Sequence, residues 1–183
     1  MAEFRFQLSD QEKAYLKDLV HAAIARCLKD GCPPLPEPPT DTLREKLGAF
    51  VSLKIGGRLR GCIGHIVGDM PLHKTVAEMA RCAAFEDPRF PPFTDDELAR
   101  AEIEISVLGP LTPCPDPGMI EVGRHGLLVR QGLRSGLLLP QVPVEWKWDR
   151  ETFLRQTCAK AGLPSDCWQD PRTAVFWFEA EVF

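Results

Sequence analysis

The stretch Gly48-Ala49-Phe50-Val51-Ser52-Leu53-Lys54-Ile55-Gly56-Gly57-Arg58-Leu59-Arg60-Gly61-Cys62-Ile63-Gly64-His65 decides the fold. Two strand-like runs flank a Gly-Gly pair, and both glycines tolerate the positive φ angles of a type I′ turn, so the pattern predicts an antiparallel hairpin. Counting outward from a two-residue turn sets Ile55 opposite Arg58, Leu53 opposite Arg60, Val51 opposite Cys62 and Phe50 opposite Ile63. Side chains alternate faces along a strand. This register therefore puts Arg58, Arg60 and Cys62 on one face and Leu59, Gly61, Ile63 and His65 on the other. It predicts a thiol beside a guanidinium, between two glycines that leave the main chain open to close approach.

Outward from the hairpin, helices and one further alternating strand stand out. Ser9 with Glu12 forms a capping box for a helix over residues 9–29, with Leu16, Leu19, Val20, Ala23, Ile24, Cys27 and Leu28 at helical spacing and Gly31 as its stop. Pro33-Pro34-Leu35-Pro36-Glu37-Pro38-Pro39 reads as an extended connector. Asp69 and Pro71 open a second helix, with Leu72, Val76, Met79, Ala80 and Ala83 inward. Thr94 with Glu97 caps a short third one. Residues 102–109 alternate as a half-buried strand. Strand-like runs follow at Met119–Val122, Gly126–Gln131 and Gly136–Leu139. Asp149 opens a helix that Gly162 ends, and Thr173–Phe183 reads as one long strand. Hairpins with segregated helices, rather than strict strand–helix alternation, predict an α+β fold with a mainly antiparallel sheet flanked by helices. A single domain spans 1–183, with room for a smaller lobe within it.

Composition narrows the function classes. The chain has 183 residues, 22 basic and 26 acidic, for a formal net charge of −4. That balance provides no electrostatic footprint for nucleic acid or an anionic membrane. No run reaches membrane-spanning length and the first residues lack the apolar core of a signal peptide, which points to the cytoplasm. Seven cysteines are an odd number in a chain with no sign of secretion, so reduced thiols are expected.

Two chemistries compete at the hairpin. Cys62-x-x-His65 has ligand-like spacing, which His73 or Cys82 could complete, but the register separates Cys62 from His65 unless Gly64 forms a bulge, so no metal is assigned. Nucleophilic chemistry needs a thiolate with a nearby cation and a base in reach; Arg60 is the candidate cation and His65 the candidate base, with Cys62 as nucleophile. Packing as a small apolar residue is the competing role for Cys62. Arg58, Gly61, Gly64, Asp87, Arg89 and Glu104 are the candidate substrate-binding residues. Glu104 shares a strand face with Glu102 and could meet Arg58 or Arg60. Asp87 could instead lock the turn around Pro88 by accepting main-chain N–H bonds. His125, in Gly123-Arg124-His125-Gly126, could be exposed at a turn. No nucleotide or cofactor motif is present.

Taken together, Gly48–Leu53, Leu59-Arg60-Gly61-Cys62-Ile63-Gly64, Ala84-Phe85-Glu86-Asp87-Pro88-Arg89-Phe90, Glu104–Leu108, Gly136–Val142 and Cys158–Leu163 resemble the AMMECR domain family over essentially the whole chain. The length is similar to the stand-alone prokaryotic form, AmmeMemoRadiSam system protein A. The resemblance implies a compact α+β domain with two unequal lobes and a cleft bearing the hexapeptide. It also implies association with a Memo-like protein and a radical-SAM protein. Its activity is open between an enzyme or redox-active protein using Cys62 and a non-catalytic binding or regulatory adaptor.

Overall fold

The computed structural model describes residues 7–29 and 34–183. Gly31, Cys32 and Pro33 lie outside them, so the expected helix stop and the start of the proline connector are not described. The rest of the chain divides into two compact units, one of residues up to Leu108 together with Glu181–Phe183, the other Gly109–Ala180.

In the first unit, α1 (Asp10–Leu28) starts at Ser9, whose hydroxyl and Glu12 carboxylate form the expected capping box. Leu16, Leu19, Val20, Ala23 and Ile24 face the core, whereas Cys27 is exposed. Strands β1 (Gly48–Ile55) and β2 (Arg58–His65) form the hairpin, with Gly56 and Gly57 at φ 56° and 72° in the turn. The helix α2 (Leu72–Phe85) begins one residue later than read, because Pro71 takes the N-cap position. The short α3 (Asp95–Leu98) carries the Thr94–Glu97 capping box. Strand β3 (Glu102–Leu108) pairs antiparallel with β1, Val51 opposite Ile105 and Ser52 opposite Glu104. Phe183 lies alongside β3 and exchanges main-chain bonds with Ile105.

One face of this sheet, with Ala49, Val51, Leu53, Ile105 and Val107, packs with α1 and α2 into the main core. Burying apolar strand residues against apolar helix stripes supplies the dominant folding term.

The second unit contains β4 (Thr112–Pro113), β5 (His125–Gln131), β6 (Arg134–Leu138), α4 (Gln141–Glu145), α5 (Arg150–Lys160) and most of β7 (Ala174–Val182). Strand β5 lies between β6 and β7, antiparallel to both, and β4 pairs with β7. Asp149 caps α5 as read, and Gly162 follows it at φ 68°. The run Met119–Val122 is not a strand: Pro117–Met119 form a 3-10 turn, because Asp116 accepts the Gly118 N–H and closes the chain locally. The α+β class and mainly antiparallel sheet hold in both units.

Candidate functional site

The hairpin register differs from the counted one. It begins as expected, with Ile55 opposite Arg58 and Lys54 opposite Leu59, then shifts so that Leu53 faces Gly61, Ser52 faces Cys62 and Val51 faces Ile63. Arg60 is the extra residue, a β-bulge on β2. Its physical cause is the pattern of β1 itself. Without the bulge Val51 would share its face with Cys62, and Ile63 would leave the core. The bulge puts Val51 with Ile63 and Leu53 with Gly61 on the helix side.

Arg58, Arg60 and Cys62 therefore do not form one row. Arg58 belongs to the helix-side face, Arg60 sits in the bulge, and Cys62 lies on the opposite face in a row with Ser52 and Glu104. Cys62 and His65 stay on opposite faces, because the bulge falls at Arg60 rather than Gly64. His65 Nε2 instead pairs with Asp69 Oδ1 at 2.9 Å. The base expected at Cys62 is thus turned away from it.

Arg60 is 13% exposed and its Nε and Nη2 grip Glu97 at 2.7 and 3.0 Å, with Pro92 carbonyl 3.3 Å from Nη2. Its guanidinium lies 4.8 Å from the Phe93 ring centre and 5.8 Å from that of Phe90. Arg60 lowers the Glu97 carboxyl pKa, outweighing the opposing effect of burial. This arginine ties the bulge to the start of α3.

The cation beside Cys62 is Arg89. Strand β2 is an edge strand, and Cys62, opposite Ser52, directs its main-chain groups outward. Asp87 Oδ2 accepts the Cys62 N–H at 2.9 Å, and Arg89 Nη2 donates to the Cys62 carbonyl at 3.2 Å. Asp87 and Arg89 bond to each other at 2.7 Å through Oδ2 and 2.9 Å through Oδ1, and Oδ1 also accepts the Arg89 N–H. The Asp-Pro-Arg turn thus stands in for a neighbouring strand at this one residue, which also blunts the edge. Asp87 is buried, and the Arg89 guanidinium, aided by the Cys62 and Arg89 N–H groups, holds its carboxyl far below the usual range.

Both glycines of the motif are filled by the protein's own atoms. A Cβ on Gly61 would meet the Ala83 carbonyl oxygen at the end of α2, and one on Gly64 would meet the Phe50 ring. Glu104 forms its ion pair with Lys54, 2.7 Å away, and Glu102 accepts the Gly57 N–H. Cys62 itself is half-buried, and Ser52 Oγ donates to its Sγ at 3.2 Å. Ser52 was missed by counting; matching Val51 to Ile63 across the core face is the signal that finds it.

Elsewhere, Cys158 and Cys167 are joined as a disulfide rather than reduced, while Cys27, Cys62, Cys82 and Cys114 are free thiols. His125 is buried, not exposed: it packs 4.4 Å from Trp177 and its Nδ1 accepts the Glu121 N–H. Burial, together with the Arg124 charge, lowers its pKa. Among the described residues no helix is long and apolar enough to cross a membrane.

The AMMECR1 family model matches residues 17–183, a span that includes both the bulged hexapeptide and its Asp87–Arg89 brace. The chain belongs to the AMMECR1 family. A Thermococcus gammatolerans protein is 47% identical over 97% of this AMMECR1 chain and 92% of its own length. Protein MK0488 of Methanopyrus kandleri is 46% identical over 97% of this chain and 90% of its own. The crystal structure of PH0010, an uncharacterized protein from Pyrococcus horikoshii, superposes with a TM-score of 0.87 at 45% identity, covering 97% of this chain and 93% of that one.

Proposed function

We propose that this AMMECR1-family chain is a thiol-dependent protein whose reacting atom is Sγ of Cys62, acting together with a Memo-like protein and a radical-SAM protein. The observation that carries this reading is the Ser52 hydroxyl donated to Cys62 Sγ at 3.2 Å, on the sheet face away from the helices. A donor aimed at sulfur stabilises negative charge developing there. Asp87 and Arg89 fix the main chain on both sides of the thiol, so the sulfur is held in one place.

The step this arrangement supports is attack on an electrophilic carbon. The thiol proton passes to solvent water, since His65 is turned away; the sulfur lone pair forms the new bond; the leaving group departs with its electron pair. Ser52 and the Lys54–Glu104 pair are the polar groups flanking the attacked substrate.

Site-resolved alkylation of the native protein tests this reading, with exposed Cys27 as the internal standard. Cys62 should label without denaturant, and Ser52→Ala should slow it roughly five- to tenfold, the worth of one hydrogen bond of about 1 kcal/mol. Cys27 should be unchanged. Labelling of Cys62 only in unfolded protein, or an equal rate in Ser52→Ala, ends the proposal. A second reading, a non-catalytic adaptor, is favoured by one observation: both main-chain groups of Cys62 are already bonded within the protein. Capture of a Memo-like protein that survives Cys62→Ser would favour it.

A further inference from the structure

A second sulfur pair lies in the unit Gly109–Ala180. Cys158, in the last turn of α5, is bonded to Cys167 at the start of the 3-10 turn Cys167–Gln169. The segment between them is pinned without the bridge. Gly162 turns at φ 68°, the Leu163 N–H reaches the Cys158 carbonyl at 3.0 Å, and the Cys167 N–H reaches that of Pro164 at 3.0 Å.

The two sulfurs are not equivalent. Cys158 is wholly buried among Val129, Ala161 and Leu163, with Val175 and Trp168 at the margin. Cys167, although only 5% exposed and part of the same apolar cluster, lines a polar cavity of about 320 Å³ together with Gln131, Pro164, Asp166, Gln169, Asp170 and Arg172. The next residue, Trp168, has its indole Nε1–H buried with no hydrogen-bond partner among the described residues. An unpaired buried donor opposes the arrangement that holds it.

We infer that Cys158–Cys167 is an exchangeable disulfide, a redox modification site at which a small thiol enters the cavity, attacks Cys167 and releases Cys158. The attacking thiolate forms a bond to Cys167 Sγ and the Cys158–Cys167 bond breaks. Its electron pair leaves on Cys158 Sγ, which takes a proton from solvent. A second thiolate then attacks the reductant's sulfur in the mixed disulfide, frees Cys167 and departs as the oxidised reductant. The protein is reduced by two electrons and two thiols are oxidised. Cys158 tolerates the reduced state, because a neutral thiol packs as a small apolar group. At the cavity, Asp170 is bound to Arg172 at 2.6 Å, and Asp166 leaves the rim net negative. Cationic and neutral thiols should therefore enter faster than anionic ones.

The test treats the native full chain, purified without reductant, with cysteamine, 2-mercaptoethanol or 3-mercaptopropionate, and maps the products by mass spectrometry. The mixed disulfide should form on Cys167, with the new free thiol on Cys158. After correction for each reagent's own reactivity, cysteamine should outpace 3-mercaptopropionate at least threefold. Far-ultraviolet dichroism should hold, while tryptophan fluorescence shifts in the native chain and not in Trp168→Phe. Adducts on Cys158, faster entry of the anionic thiol, reduction only in urea, or unbridged cysteines at the outset would overturn the proposal.

Discussion

Cys62 and Cys82 are both half-buried thiols beside an arginine, in the same compact unit, yet different groups face the two sulfurs: a hydroxyl at Cys62, two carboxylates and the arginine at Cys82. Cys82, on α2, has Glu86 Oε2 at 3.3 Å and Glu78 Oε1 at 3.8 Å as acceptors for its thiol, and its sulfur accepts from Arg81 Nη2 at 3.5 Å. Burial, reinforced by the Glu86 acceptor, pushes its thiol up to about 11. At Cys62 the sulfur accepts from Ser52, and the nearby carboxylate, Asp87, binds the amide instead. Arg81 is held by Glu78 and Glu86, and Arg89 by Asp87, so both cations are already matched by acids. An arginine next to a cysteine therefore does not distinguish a reactive thiol from a quiet one. The two sites differ instead in having carboxylates aimed at the Cys82 sulfur and none at Cys62.

The largest effect should come from removing the brace that sets this difference. Asp87→Ala strands the Cys62 N–H and frees Arg89, which should cost about 3 kcal/mol in chemical unfolding; Asp87→Asn, which keeps an acceptor, should cost less. The same comparison has a pH signature. The folded carboxyl of Asp87 lies below its unfolded value, so its contribution is present above about pH 4 and is lost as pH falls further. The gap in stability between the native chain and Asp87→Ala should therefore close on acidification below about pH 4. A gap that stays constant to pH 2 removes the ion pair from the account.

Gly61→Ala comes next. Its Cβ would collide with the Ala83 carbonyl oxygen, a main-chain atom one residue beyond Cys82. Strand β2 or the end of α2 must shift, at about 2 kcal/mol by the usual scale of overpacking. That shift reaches both thiols, so alkylation rates at Cys62 and Cys82 should both change. A variant of native stability with unchanged rates would mean that the close approach does not hold the two sulfurs in place.

Much of this was legible in the sequence, and the misses share one cause. The capping boxes at Ser9 and Thr94, the Gly-Gly turn and the Asp149 cap depend on chemistry a few residues apart, and each forms as read. Register depends on the whole strand. Counting from the turn treated β2 as regular, while the apolar faces of Val51 and Ile63 demanded an inserted residue, and Arg60 is that residue. From that shift follow the separation of Arg58 and Arg60 from Cys62 and the discovery of Ser52 as its partner. The glycines of the motif misled for a similar reason. Lack of a side chain signals close approach, but the approaching groups are Ala83 and Phe50 of the same chain. The Cys158–Cys167 bridge joins a helix end to a loop turn, and no local pattern marks it.

The smallest effect isolates the carboxylate nearest the Cys82 sulfur from everything else. Glu86 is exposed, with 53% of its side chain open to solvent, so Glu86→Gln should leave stability nearly unchanged. It removes the carboxylate that accepts from Cys82 and leaves burial as the main cause of the raised thiol. Alkylation of Cys82 near pH 9 should then rise severalfold, while Cys62, which shares no partner with Glu86, keeps its rate. An unmoved Cys82 would assign its quietness to burial alone. Equal acceleration of both thiols would mean that the local bonds at sulfur do not separate them, and the contrast between a sulfur facing a hydroxyl and one facing carboxylates would lose its basis.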